Sequence, residues 1–446
     1  MACMQLNQQV SEQVSEQVCD ACDARFGARD ARVQCASCGG LLHVQHPQPP
    51  TCGVALRESF DARLLPARGP QGTGPGDSGV WRFRELVMPD ASDEDLVTQG
   101  EGNTPLLARP RIAAWAGVDH LLLKHEGHNP TGSFKDRGMT VAITQAKRIN
   151  ATAVACASTG NTSAALASYA ALAGLRGLVL VPAGKVALGK LSQTIAYGAQ
   201  TLLVRGDFDD CLRLCRQSSE QLGVYLANSI NPWRLEGQKT IMFDLLQQLR
   251  WQSPDWLVLP AGNLGNTSAF GAARREARRL GLIDRAPRLA CVQAAGSAPF
   301  AASFRDGFAT RHTVRAETIA TAIRIGDPAS HERAVRAIRE TDGVVLTVTD
   351  DEILEAKAII DASGVGCEPA SAASVAGTRK LVRDGTIHRG ARVVALLTGH
   401  MLKDPEVMLA YHRDTEPAPA YANRSIEIDA TLADMERVLR SGTDMS

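Results

Sequence analysis

The sequence predicts an α/β protein built on parallel sheet, with a small cysteine knuckle ahead of it. Three observations lead there. Beyond about Val97, short apolar runs alternate with helix-period segments; polar, glycine-bearing loops join one to the other; and two Cys-x-x-Cys pairs stand near the front. The apolar runs predict strands at Val154–Ala157, Leu178–Val181, Leu202–Val204, Leu257–Leu259, Val344–Val348 and Val393–Leu397. The segments between them predict helices at Thr162–Ala173, Cys211–Leu222, Thr267–Leu280 and Asp351–Asp361. Strands alternating with helices imply parallel sheet covered on both faces. Such sheets bind ligands beyond the carboxyl ends of their strands, where loops lead into the next helix.

Size and composition bound the answer. At 446 residues the chain is long enough for two or three compact units. Apolar residues make up 44% and charged residues 22%, with 48 basic against 48 acidic side chains. A net charge of zero offers no field for nucleic acid or a membrane surface. No apolar run approaches the length of a membrane span. The polar, acidic start has no basic and apolar signal pattern, so a cytoplasmic location is expected.

The front carries Cys19-x-x-Cys22, twelve residues, then Cys35-x-x-Cys38-Gly39-Gly40. Two such knuckles have the spacing of a zinc ribbon, in which four thiolates close a tetrahedral shell. Cys19, Cys22, Cys35 and Cys38 are therefore the expected ligands of a structural zinc, in a module whose usual work is to staple a terminus. His43, His46 and Cys52 are expected to be solvated loop residues rather than further ligands. Cys156, Cys211, Cys215, Cys291 and Cys367 sit in apolar or amphipathic stretches, as free buried thiols do. Arg68 to Gly79 holds five glycines and two prolines in twelve residues and predicts a linker.

Three loops are candidates for chemistry. Asn129-Pro130-Thr131-Gly132-Ser133-Phe134-Lys135-Asp136-Arg137-Gly138 opens a helix predicted to run to about Ile149. A lysine at a helix start meets amide donors and the positive dipole end, which disfavour its charged form. A neutral amine is what condensation with a carbonyl requires. Ser158-Thr159-Gly160-Asn161-Thr162-Ser163 follows a strand with hydroxyls, an amide and a glycine at a helix start, a pattern that suits a carboxylate. Gly262-Asn263-Leu264-Gly265-Asn266-Thr267 follows another strand, and its glycines let backbone amides converge on a phosphate. Singly, each reads equally as a surface lysine, a plain helix cap or a tight turn; three in strand-loop-helix positions point to one site.

These residues resemble the pyridoxal-phosphate enzymes of the tryptophan-synthase-β type and, within them, the threonine synthases. The resemblance runs from Gly100 to about Leu439. It rests on the lysine loop, on Gly100-Glu101-Gly102-Asn103-Thr104-Pro105-Leu106, and on Asn228-Ser229-Ile230-Asn231-Pro232-Trp233-Arg234-Leu235-Glu236-Gly237. Ala322–Pro328, Glu368–Ala373 and Leu397–Pro405 complete the set. The resemblance implies two parallel-sheet α/β domains of the type II pyridoxal-phosphate fold behind the ribbon. They would be a large cofactor domain (97–135 and 233–446) and a small substrate domain (136–232), preceded by the ribbon (1–50) and a connecting segment (51–96). It implies that Lys135 carries pyridoxal 5'-phosphate covalently, Asn161 meets the ring's phenolic oxygen, Thr398 meets the pyridine nitrogen, and Gly262, Asn263, Leu264, Gly265 and Asn266 hold the cofactor phosphate. Ser158, Thr159, Thr162 and Ser163 would grip the substrate carboxylate. Asn228, Ser229, Arg234 and Lys190 would take the substrate's own phosphate. A homodimer is also implied.

The activity implied is lysis of O-phospho-L-homoserine with water to L-threonine and phosphate, Lys135 acting as the base at Cα. An alternative keeps the fold and takes O-phosphoserine with sulfite; another keeps it as a catalytically inactive binding protein. Asn161-Thr162 departs from the Asn-His usual in the threonine and serine dehydratases, and cysteine synthases lack the Asn-Pro-Trp-Arg-Leu-Glu-Gly run. His125 and His128, flanking Glu126-Gly127, are expected to be bystanders.

Overall fold

The computed structural model describes residues 14–64, 75–184 and 191–441. The chain begins with β1 (Glu16–Cys19), β2 (Arg25–Gly27) and β3 (Leu42–Gln45), an antiparallel ribbon in the order β2-β1-β3. Helices α1 (Gly53–Ala62) and α2 (Arg84–Val87) lead to β4 (Leu106–Ala108), α3 (Pro110–Ala116), β5 (His120–His125) and α4 (Lys135–Arg148). A second sheet is then inserted: β6 (Ala153–Ala157), α5 (Asn161–Leu172), β7 (Arg176–Pro182), α6 (Ser192–Ala196), β8 (Gln200–Val204), α7 (Phe208–Leu222) and β9 (Val224–Leu226). The chain returns through α8 (Pro232–Gln248) to β10 (Trp256–Pro260), α9 (Gly265–Arg279), β11 (Arg288–Ala294), α10 (Pro299–Arg305), α11 (His331–Glu340), β12 (Val344–Val348), α12 (Asp350–Ala362), α13 (Pro369–Arg383) and β13 (Arg392–Leu397). Pro405–Ser446 is a second compact unit, which contains α14 (Pro405–Leu409) and α15 (Leu432–Ser441).

The small sheet, β8-β7-β6-β9, is parallel throughout. The large one, β12-β11-β10-β13-β5-β4, is parallel except at its edge, where β4 runs antiparallel to β5. The expected parallel sheets form, with one antiparallel edge strand in the larger. The link from β4 to β5 holds only the seven-residue α3, and an antiparallel edge strand on a parallel sheet is a common arrangement. All six predicted strands and all four predicted helices form, with no end moved by more than three residues. The lysine-loop helix forms too, ending at Arg148. Of the predicted linker, residues 68–74 lie outside the described residues, and Pro75–Asp77 forms a short 3-10 turn.

Local chemistry fixes most boundaries. Asp207 and Asp210 form a capping box on α7, and Thr349 and Glu352 form one on α12. Pro232 occupies the first turn of α8, where a missing N–H costs nothing, and Asn231 accepts from the N–H groups of Trp233 and Arg234. α8 lies against both α4 and α9. At Gly237 the approach to α4 is so close that a Cβ would stand 1.8 Å from the carbonyl oxygen of Arg137.

Beneath the α4–α8 crossing lies a buried ion network. Arg137 donates from Nε to Glu126 at 2.7 Å and from Nη2 to Glu126 and Asp244 at 2.8 and 2.6 Å. Asp244 also accepts from Lys124 at 3.0 Å and from Arg82 at 3.2 Å. Every member is buried, so each charge depends on its partners. The three cations hold the Asp244 carboxyl far below the usual carboxylate range even though burial pushes the other way. Asp244→Asn keeps the shape but leaves Arg82 and Lys124 without their carboxylate. It is expected to cost about 3–5 kcal/mol of stability, read as a lowered denaturant midpoint at unchanged slope. A loss under about 1 kcal/mol would mean the network is incidental.

Candidate active site

One cavity of about 1770 Å³ collects the carboxyl-end loops of both sheets. Drug-sized ligand pockets run to roughly 1,000 Å³, so this one has room for two adjacent ligands. Loops after β5, β6, β9, β10 and β13 all reach it.

The lysine loop is held from both sides. Thr131 donates its N–H and hydroxyl to Asp136 at 2.7 and 2.5 Å. The end of β13 pins the loop by main-chain bonds, Phe134 N–H to Thr398 O at 3.0 Å and His400 N–H to Gly132 O at 2.9 Å. Lys135 is left half-buried in the cavity, its Nζ 4.2 Å from the ring centre of Phe134. Burial pushes its ammonium down to about 7; the guanidinium of Arg234 adds to that and Glu368 opposes it. Near neutral pH a large share of Lys135 is therefore free amine.

Three helices begin at this cavity, and none has a side-chain cap from its N-cap residue: Phe134 for α4, Gly160 for α5 and Leu264, in left-handed backbone, for α9. Helix starts leave N–H groups that need an acceptor, and the helix dipole favours that acceptor being an anion. Gly262, Asn263, Leu264, Gly265 and Asn266 all line the cavity. The Asn263 side chain is spent on structure, donating to Ser229 at 3.2 Å and accepting from Ala329 N–H at 3.1 Å. Ser158, Thr159, Asn161 and Thr162 also line it. Ser163 does not: it is buried and donates to Gly160 O at 2.8 Å, so it shapes the loop.

Asn228 and Ser229 line the cavity, with Asn228 tied to both main-chain groups of Ala157 at 3.1 Å. Arg234 lies behind them, fully buried and not in the lining. It donates to Ala227 O at 3.1 Å, while its Nε and Nη2 have no partner among the described residues. No carboxylate pairs with it among the described residues, and burial pushes its charged form down to about 10. Lys190 lies outside the described residues.

Glu368, quoted in a sequence motif without a role, proves central. It accepts from Asn161 Nδ2 at 2.9 Å and from Thr398 Oγ1 at 3.0 Å, joining the two expected ring contacts. Burial raises its carboxyl above the usual range, partly offset by those two hydrogen bonds. Ser371 lies 2.9 Å from Thr398 Oγ1 and accepts from the N–H groups of Thr398 and Gly399. Lys403, also unassigned from sequence, lines the cavity and bonds Gln193. The sequence signals for Glu368 were its place in the Glu368–Ala373 match and a proline-started helix after a lone acidic residue. His125 is structural: Nδ1 accepts from Gly127 N–H at 3.1 Å, so Nε2 donates to Gly366 O at 2.7 Å and fixes the turn before Glu368. His128 is exposed, edge-on to His125 at 4.6 Å. Cys367 is buried, and burial pushes its thiol well up, away from reactivity.

The thiols of Cys19, Cys22, Cys35 and Cys38 converge, all within 4.8 Å of one another. Three of the separations are 3.4, 3.5 and 3.6 Å, near the ~3.8 Å that a tetrahedral shell with Zn–S of about 2.3 Å requires. Each knuckle also turns an amide toward sulfur, Ala21 N–H to Cys19 and Ser37 N–H to Cys35, both at 3.4 Å. This donor set fits a thiophilic metal. The expectation of solvated loop positions for His43, His46 and Cys52 is corrected. His43 pairs with Asp20 at 2.9 Å; His46, nearly buried, bridges Ser15 and Glu236, both at 2.9 Å; Cys52 is disulfide-bonded. The five thiols read as free and buried are so.

Residues 97–399 match the family model described as pyridoxal-phosphate dependent enzyme. The chain is 46% identical over 393 residues to the threonine synthase of Methanosarcina acetivorans, covering 88% of this chain and 93% of that one. It is 41% identical over 424 residues to that of Methanocaldococcus jannaschii (95% and 98% covered) and 51% identical over 337 residues to that of Synechocystis (74% and 86%). Among solved structures, Escherichia coli threonine synthase superposes with a TM-score of 0.68 at 19% identity, covering 96% of this chain and 99% of that one, which shows the shared fold. The chain belongs to the pyridoxal-phosphate dependent enzymes and, within them, to the threonine synthase family.

Proposed function

We propose that this protein converts O-phospho-L-homoserine and water to L-threonine and phosphate, with Lys135 as its central catalytic residue. The observation that carries this reading is a pair of anion sites around one amine: the uncapped start of α9, and the guanidinium of Arg234 behind Asn228 and Ser229, whose Nε and Nη2 have no partner among the described residues. A cofactor phosphate and a substrate phosphate each have a place.

The residues fit pyridoxal phosphate: Gly262–Asn266 for its phosphate, Asn161 and Thr398 for its ring, Lys135 for its carbonyl carbon. When bound, it supplies an electron sink for charge developing at the substrate's Cα. The chain's own residues do the rest. Ser158, Thr159 and Thr162 hold the substrate carboxylate, with Ser163 shaping their loop. Asn228, Ser229 and Arg234 hold the phosphate on Cγ and retain it as it leaves. Lys135 Nζ takes the proton from Cα, for which its depressed basicity suits it near neutral pH. Glu368 keeps Asn161 and Thr398 in register. Cys19, Cys22, Cys35 and Cys38 hold a structural zinc. Residues 97–135 and 233 onward form the cofactor domain, 136–232 the substrate domain, and the working unit is a cytoplasmic homodimer. In keeping with that location, no helix among the described residues is long and apolar enough to cross a membrane.

Threonine and phosphate released in equal amounts from O-phospho-L-homoserine will establish the activity; turnover of O-phosphoserine with sulfite instead would overturn it. Arg234→Ala should raise KM for the phosphorylated substrate by about 30-fold or more, as removal of a buried charge from an anion contact costs about 2 kcal/mol or more. The neutral fraction of Lys135 grows as pH rises through its lowered value and levels off above it. Uptake of pyridoxal phosphate by cofactor-free protein should therefore accelerate up to a midpoint near about 7 and then flatten. A midpoint near the ordinary lysine value of 10.5 would show that the amine is not perturbed.

A further inference from the structure

The second cysteine knuckle has a position that a terminal staple does not need. Gln34, Gly39, Gly40 and Leu41 line the same cavity as Lys135 and Asn228. Val33 and Leu41 pack into an apolar cluster with Ala157, Leu226 and Ile230. Ala157 immediately precedes the Ser158–Thr162 loop, and Leu226 and Ile230 bracket Asn228 and Ser229. The apolar face of the knuckle is thus the backing of both loops assigned to the substrate.

The ribbon is tied elsewhere to helices α11, α8 and α4. Asp20 pairs with Arg333 on α11, His46 Nε2 lies 2.9 Å from Glu236 on α8, and Gln145 on α4 donates to Ala28 O at 2.7 Å. It therefore bridges elements on both sides of the cavity. Inside the knuckle, Cys35 N–H donates to Gly40 O, Gly39 N–H to Cys35 O and Gln34 Nε2 to Gly39 O, each at 2.9 Å. A Cβ at Gly40 would stand 2.8 Å from Cys19 Sγ and 3.2 Å from Cys38 Sγ. The path of Gly39–Leu41 runs directly over the thiol cluster, so whatever fixes the four sulfurs fixes that path.

We propose that the metal-bearing knuckle is a wall of the substrate pocket and a positioning element for the Asn228–Ser229 loop, setting affinity for the phosphate-bearing substrate. This rests on the metal and phosphate-site readings above. The test uses the holoenzyme, Cys38→Ser, which breaks the thiol shell, and Leu41→Ala, which keeps it. Metal content, the visible cofactor band, KM and kcat for O-phospho-L-homoserine, and inhibition by inorganic phosphate are measured on each. Cys38→Ser should lose the metal and Leu41→Ala retain it. Both should raise KM and the phosphate inhibition constant about tenfold, a contact-sized loss, with kcat within about twofold and the cofactor band unchanged. Unaltered KM and phosphate inhibition in Leu41→Ala would overturn the proposal, as would a fall of kcat and cofactor band along with KM. Failure of phosphate to inhibit even the parent enzyme would instead remove the phosphate-site reading, and the proposal with it.

Discussion

Backbone N–H groups at the start of a helix must find an acceptor, and in this fold three helices start at one cavity without a cap from their N-cap residues, α4 alone having a neighbouring hydroxyl, Ser133 Oγ, that accepts from Lys135 N–H at 3.4 Å. α7, whose first residues also line the cavity, and α12 carry complete capping boxes, and α8 is capped by Asn231. α4, α5 and α9 start from Phe134, Gly160 and Leu264 without a cap from those residues, as do α1, α3 and α10 elsewhere. A missing cap costs a helix on the order of 1 kcal/mol, and a bound anion can meet that need from outside the chain.

Such a site needs rigid support, because the lysine sits where a loop turns into α4. The support is the buried network two residues further along the same helix. Arg137 holds α4 to Glu126 and to Asp244 on α8, and Lys124 and Arg82 complete it. Above it, β13 pins Gly132 and Phe134. The amine is thereby presented half-buried in the cavity with the Arg234 guanidinium nearby, and both burial and that charge lower its basicity. Structure and reactivity are the same arrangement seen at two depths.

Much of this was legible in the sequence because the strands facing both helical layers read as apolar runs and the loops read as glycine, hydroxyl and amide clusters. α8 was not legible as a helix. From Pro232 to Gln247 every residue is buried, including Arg234, Glu236, Lys239 and Asp244, so no polar face marks a period. β5 was hidden in the same way by Lys124, a charge with no exposure at all. Glu368 and Lys403 come from distant segments and acquire meaning only where the carboxyl ends of strands meet. Val33 and Leu41, in a module read as a staple, pack behind the cavity's loops for a reason of tertiary packing that no local pattern encodes.

The central claim is that Lys135, and no other amine of the cavity, carries the cofactor. Lys403 lines the same cavity and makes the claim open to a direct challenge. The measurement is borohydride reduction of the cofactor-loaded protein, which fixes pyridoxal phosphate to the amine that holds it, followed by mapping of the modified peptide. The account predicts a single modified residue, Lys135, and none in Lys135→Ala. Modification at Lys403, or a modified peptide that persists in Lys135→Ala, would contradict it.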